Sequence, residues 1–233
     1  MTSKKIDNKN KIIILIEKID KVKGLELESI KYKLEQYGRN ITLPFFNNWK
    51  KFNINQKFQA IEILGKLSST IITKHATKKY LTEDNQNLKA SLITLIGNCG
   101  NSKNIPILAN SLNSKDKRIR ANAVEAISRL GGKEIIELLL PLLKDPNNRV
   151  KANTAKALWE FEEVRKLVKE VFEEMVKDDS KWMKASAYYA FGEIGIMDFF
   201  HLLLESLDEE DEDIARNAVV ALVGYADKYG EIL

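Results

Sequence analysis

Ile119-Arg120-Ala121-Asn122-Ala123-Val124-Glu125-Ala126-Ile127-Ser128-Arg129-Leu130-Gly131 is the stretch whose reading decides the fold. Its apolar residues fall at Ile119, Ala123, Ala126, Ile127 and Leu130. That is the spacing of one face of an α-helix, and Gly131 then ends the run. Variants of it recur through the chain. Aligned on the residue that opens each copy, the anchors are Gln56, Leu88, Ile119, Val150, Met183 and Ile214, separated by 32, 31, 31, 33 and 31 residues. A fixed period of this length marks stacked supersecondary units.

The copies agree column by column. Four residues after the anchor stand Ala60, Leu92, Ala123, Thr154, Ala187 and Ala218. Seven after it stand Ile63, Leu95, Ala126, Ala157, Ala190 and Ala221, and eight after it Leu64, Ile96, Ile127, Leu158, Phe191 and Leu222. The eleventh column is Leu67, Cys99, Leu130, Phe161, Ile194 and Tyr225. These columns predict one buried helix face, with small residues that let neighbouring helices approach closely.

Ahead of each copy lies a second apolar run: Leu43–Phe52, Ile71–Leu81, Ile105–Leu112, Ile135–Leu143, Val164–Val176 and Met197–Leu207. Polar turns such as Asp145-Pro146-Asn147 separate the two runs of a pair. Each unit is therefore helix A, turn, helix B, and nothing alternates like a strand. The expected fold class is all-α, a right-handed α-α superhelix of about six helix pairs over residues 42–233. Residues 1–41 precede it as a helical cap continuous with the solenoid. There Ile12–Ile16, Ile19 and Val22 predict a helix over Lys11–Lys23, and Leu27, Ile30, Leu34 and Tyr37 predict a second one that Gly38 stops.

The turns resemble those of HEAT repeats, which place an Asp in the turn, an apolar residue five positions later and Arg or Lys next. Asp145, Val150 and Lys151 match, as do Asp178, Met183 and Lys184, while Glu83, Leu88 and Lys89 carry a conservative acid. Ser114, Ile119 and Arg120 lack the acid, and Glu209, Ile214 and Ala215 lack the base. Pro141 stands inside helix A, where many HEAT repeats carry a kinking proline. The short period is similar to the compact HEAT-like repeat of bacterial bilin lyases. The resemblance, over about residues 42–226, implies an armadillo-like helical scaffold and is nearly mute on activity. The acid is expected to cap helix B, and the base to bond the next repeat's turn. The third column, Gln59, Ser91, Asn122, Asn153, Ser186 and Asn217, is expected to form a hydrogen-bond ladder between repeats.

Composition narrows the function classes. Cys99 is the single cysteine, so an intramolecular disulfide is excluded and a cytoplasmic, reducing setting is expected. No apolar run approaches the ~18 residues of a membrane span, and Glu17 cuts Ile12–Ile16 short of a signal-peptide core. Charge is bipolar: residues 1–79 hold 17 basic and 7 acidic side chains, +10, and the remainder 20 and 26, −6. The two histidines, His75 and His201, lie four repeats apart, and Cys99 falls in a core column. No metal site, cofactor or catalytic residue is expected, and the chain reads as a non-enzyme.

Function is then expected on helix B columns pointing away from the core: the residue before the anchor and the second, sixth, ninth and tenth after it. The second column is mostly alanine (Ala90, Ala121, Ala152, Ala185) and would make a smooth concave groove. Arg118, Arg129, Arg149, Lys156, Trp159, Trp182 and Tyr189 stand in these columns in three consecutive repeats, and they form the candidate protein-binding site. Exposed Trp, Tyr and Arg dominate binding hot spots. A protein partner is the leading reading, and Trp159 and Trp182 folding back as packing is its structural counterpart. Nucleic-acid binding on the pattern of HEAT-like DNA glycosylases and a bilin-lyase-like chaperone or enzyme are the alternatives. The last copy, Ile214–Ala226, is followed only by residues 227–233, so end-to-end self-association through it, or a longer parent chain, is also expected.

Overall fold

The computed structural model describes residues 2–67, 69–195 and 197–230, with side chains described from Asp7 onward. Residues 231–233 of the short segment after the last repeat lie outside these. The described residues are helical throughout, without a strand, and divide into two compact units, Met1–Gly132 and Lys133–Leu233. The first unit contains α1 (Thr2–Lys18), α2 (Gly24–Tyr37), α3 (Thr42–Asn47), α4 (Ile54–Gly65), α5 (Thr70–Tyr80), α6 (Gln86–Cys99), α7 (Ile105–Ala109) and α8 (Lys117–Leu130). The second contains α9 (Ile135–Leu139), α10 (Asn148–Leu158), α11 (Glu162–Lys177), α12 (Lys181–Ile194), α13 (Phe200–Glu205) and α14 (Glu212–Tyr229).

The even-numbered helices from α4 to α14 are the six helix B copies. Their fourth- and seventh-column residues are all buried, from Ala60 and Ile63 to Ala218 and Ala221. The apolar face is wider than the sequence reading allowed. The fifth column (Ile61, Ile93, Val124, Ala155, Tyr188) is also buried. So are Ala90, Ala121, Ala152 and Ala185, which corrects their placement on a concave surface. The reason is that within each unit a helix B packs against helix A and against a neighbouring helix B, as α6 does on α8 and α12 on α14. A Cβ on Gly97 of α6 would fall 2.6 Å from Ala126 Cβ of α8, and one on Gly192 of α12 would fall 2.6 Å from Ala221 Cα of α14. Backbone meets backbone at both seams, which only glycine permits.

Helix A is less regular. In four of the six pairs its α segment finishes in 3-10: α3 continues to Trp49–Lys51, α7 to Asn110–Asn113, α9 to Leu140–Lys144 and α13 to Ser206–Asp208. Pro141 sits inside one of these 3-10 segments, whose bonding pattern tolerates its missing N–H. Only α5 and α11 run as α-helix throughout.

The N-terminal helices pack onto the first repeat. α1 begins earlier than expected, since residues 2–10 are polar apart from Ile6 but contain no breaker. Ile12, Ile16, Ile19, Ile30 and Leu34 are buried. Gln56 Nε2 donates to Glu17 O (3.2 Å), and Lys66 pairs with Glu35 at 2.7 Å. Gly24 and Gly38 adopt φ 57° and 53°, and the second closes α2 by donating its N–H to Glu35 O.

Turn chemistry corrects the expected role of the acid. Asp145 Oδ1 accepts from Asn147 N (2.8 Å), and Asp178 Oδ1 from Ser180 N (2.8 Å). The acid therefore shapes the turn, as an Asx motif does. The cap itself stands two residues later: Asn53 accepts from Gln56 N, Asn85 from Leu88 N and Asn147 from Val150 N, at 3.0, 3.1 and 3.3 Å. The base is mixed in its behaviour. Lys184 reaches Glu209 in the next turn (3.9 Å), whereas Arg120 bonds Ser114 O in its own turn (2.8 Å). The third-column ladder is partial. Asn122 Nδ2 donates to Ala90 O (3.0 Å) and Thr94 Oγ1 (3.1 Å), and Ser186 accepts from Asn148 (2.6 Å). Ser91 and Asn217 instead bond their own helices.

Candidate functional site

Arg118 and Arg129 belong to the first unit, on α8. Arg118 opens the helix beside its cap, Asp116. Its Nε and Nη2 donate to the Asp116 carboxylate at 3.1 and 2.7 Å, and Nη1 donates to Asn87 Oδ1. The guanidinium holds the Asp116 carboxyl below the usual carboxylate range. Arg118 is thereby fixed across two repeats, while remaining exposed. Arg129 is exposed near the end of α8, 3.8 Å from Glu125 one turn back.

Arg149, Lys156, Trp159, Trp182 and Tyr189 belong to the second unit, on the neighbouring helices α10 and α12. Asn148 pins the helix starts together, donating to Trp182 O (3.1 Å) and Ser186 Oγ (2.6 Å). Lys156 and Glu193 approach to 3.7 Å toward the other end. Between these ties α12 presents Trp182, 57% exposed, and Tyr189, 48% exposed, seven residues apart on one helix face. Arg149 and Lys156 occupy the equivalent positions on α10, the first exposed and the second half-buried.

Trp159 is placed differently. It caps α10 and is half-buried, its ring centroid 6.4 Å from Phe172 of α11. Arg165 lies over its ring at 5.8 Å and donates Nε to its carbonyl (3.1 Å). Trp182 also has a cation at its face, Lys181 Nζ at 4.9 Å. That ammonium is in turn held by Asp211 (3.2 Å) and Asp213 (2.8 Å) at the start of α14. The two carboxylates raise the Lys181 pKa and keep it charged. Lys181, Asn148 and the two Asp residues escaped the sequence reading, because their importance lies in contacts some 30 residues apart.

Two further features surround this face. α14 exposes Val219, Val220 and Val223 at 49, 51 and 56%. On the helix A side, an open cleft of about 740 Å³ has Tyr188, Phe199 and Leu202 among its lining residues and Lys169, Glu205 and Glu209 among its charged ones. Burial pushes the Tyr188 hydroxyl up, and His201 stands at the cleft edge. His75 is far from these groups in sequence and stacks on Phe46 in the first unit (5.8 Å). Cys99 is buried and donates Sγ to Leu67 O (3.0 Å), tying the second repeat to the first. Among the described residues no group of His, Cys, Asp or Glu is arranged to hold a metal ion, and no helix is long and apolar enough to cross a membrane.

The family model for HEAT repeats matches residues 73–159 and 136–223. The chain belongs to the HEAT-repeat family. The matched residues run from α5 to α14 and include both helices that carry Trp182, Tyr189, Arg149 and Lys156. No curated protein sequence matches the chain. Among solved structures, a designed armadillo repeat protein aligns at 18% identity over 92% of this chain and 99% of its own, with a TM-score of 0.37. A crystal structure of an engineered protein aligns at 16% identity over 92% of this chain and 68% of its own, with a TM-score of 0.42. Membership rests on the family match, and with it the HEAT repeat's all-α solenoid architecture.

Proposed function

We propose that the protein is a non-catalytic HEAT-repeat scaffold that binds a protein partner on the face formed by α10 and α12, with residues 1–41 covering its first repeat. The observation that carries this reading is the pair Trp182 and Tyr189, half exposed on one face of α12 beside Arg149 and Lys156. Large aromatic anchors flanked by arginine are what interface cores select. The hydrogen bonds from Asn148 and the Lys181–Asp211–Asp213 cluster hold the Trp182 backbone and one face of its ring in place, so little ordering cost remains on binding. The partner supported is a helix or extended segment with an apolar side chain for Trp182 and Tyr189 and a carboxylate for Arg149 or Lys156. Trp159 would contribute chiefly as the packing support of α10. The single buried cysteine suits a reducing, cytoplasmic setting.

The test is to recover co-purifying proteins, then titrate each candidate with the purified chain and its variants. Trp182→Ala is expected to weaken binding by about 2 kcal/mol, roughly thirtyfold, with helicity unchanged by circular dichroism. Arg149→Ala should cost less. Wild-type affinity in both variants for a confirmed partner would remove the assignment of this face. Binding of duplex DNA with a steep salt slope would replace it with a nucleic-acid reading.

A further inference from the structure

The exposed face of α14 is not a random surface. Arg216, Val220, Val223 and Asp227 follow one another at steps of four, three and four residues, the spacing of a helix–helix seam, and all four are exposed. Val219 flanks them, while Ile214, Ala218, Ala221 and Tyr225 form the opposite, buried face. The helix is held firmly from behind: Lys228 Nζ donates to Glu193 O, Tyr229 Oη donates to Gly195 O (2.9 Å), and Gly192 lies against Ala221. The seam thus sits on a rigid platform.

Its charge order specifies what fits. The seam is basic at its start and acidic at its end, with valines between. A parallel copy would set Arg216 against Arg216 and Asp227 against Asp227. An antiparallel copy, centred between Ala221 and Leu222, sets Arg216 against the other copy's Asp227 and Val220 against the other copy's Val223, twice over by symmetry. Neither Arg216 nor Asp227 forms an ion pair with another of the described residues. In the internal repeats the columns of Arg216 and Val219 are buried, at Ala90, Ala121, Ala152 and Ala185 and at Ile93, Val124, Ala155 and Tyr188.

We propose that α14 is the contact helix of a symmetric, antiparallel dimer of this chain, an isologous contact in which the same patch serves both copies. The contact spans about 16 Å of helix between Arg216 and Asp227, which places it among small, weak interfaces. It is separate from the α10–α12 face, so Trp182→Ala leaves it intact.

Sedimentation velocity from micromolar to submillimolar concentration tests the proposal, with circular dichroism confirming that each variant is folded. The wild-type chain should pass from monomer to dimer. R216D sets two carboxylates against each other in both pairs and should weaken the dimer by about tenfold or more, as should D227R. The double variant R216D/D227R reverses both pairs and should restore the dimer. V220E, at the apolar centre, should be monomeric. A wild-type chain that stays monomeric, a double variant no stronger than the singles, or growth beyond dimers would each overturn the proposal.

Discussion

Gly97 and Gly192 make the clearest residue-level claim. A Cβ at either would meet backbone atoms of the next helix B at less than 3.0 Å, so the two helices must separate to admit alanine. Gly97→Ala and Gly192→Ala are each expected to destabilise by about 1–3 kcal/mol, despite alanine's better helix propensity. Thermal melts should show a fall of several degrees, and an unchanged melting temperature would mean the seam can yield. Cys99 supplies a second claim. Burial pushes its thiol up, so it should react with a thiol reagent only when its repeat opens. Because the folded pKa is raised, its stability contribution is complete below the ordinary thiol range and declines as pH rises through and beyond it. Labelling rates across that range, with and without denaturant, check both points. The seven sequence-derived site residues divide at this scale as well. Trp159 and Trp182 look alike in sequence and differ in the structure, because Phe172 and Arg165 lie beside the ring of one and Lys181 beside the ring of the other.

At the scale of elements, the helix B copies were legible from columns of apolar residues, and their buried width was not. A lone amphipathic helix buries a stripe. A helix packed on neighbouring helices buries more, and Ala121 and Val124 of α8 are both interior. Reading Ala90, Ala121, Ala152 and Ala185 as a groove assumed water where a neighbouring helix stands. Helix starts are set by side chains as well. Asn147→Ala removes the acceptor for Val150 N and should cost about 1 kcal/mol, measurable by urea unfolding. Asp145→Ala removes the turn bond to Asn147 N and leaves the cap on Val150 N in place. Equal costs would show that turn and cap act as one unit.

At the scale of the whole molecule, the two compact units make unfolding a question of cooperativity. Trp49 is buried in the first, and Trp159 and Trp182 belong to the second. A variant with W159F and W182F reports the first unit by fluorescence, and W49F reports the second. Repeat arrays couple mainly through nearest neighbours, so the two urea transitions are expected to have different midpoints. Coincident curves would mean a single cooperative block. The repeat number and the all-α class were readable from the period alone. The division at Gly132 was not, since spacing is as regular across it as elsewhere.

The mixed character of helix A has a consequence for the length of the repeat. A 3-10 segment advances about 2.0 Å per residue against about 1.5 Å for α, so five residues such as Leu140–Lys144 reach about 10 Å instead of about 7.5 Å. A helix A finished in 3-10 therefore covers its partner with fewer residues. The spacings follow this rule: the three intervals of 31 residues enclose α7, α9 and α13, each ending in 3-10, whereas the intervals of 32 and 33 enclose α5 and α11, which do not. Small differences in repeat length are absorbed by the pitch of helix A, while the columns of helix B keep their positions relative to the anchor.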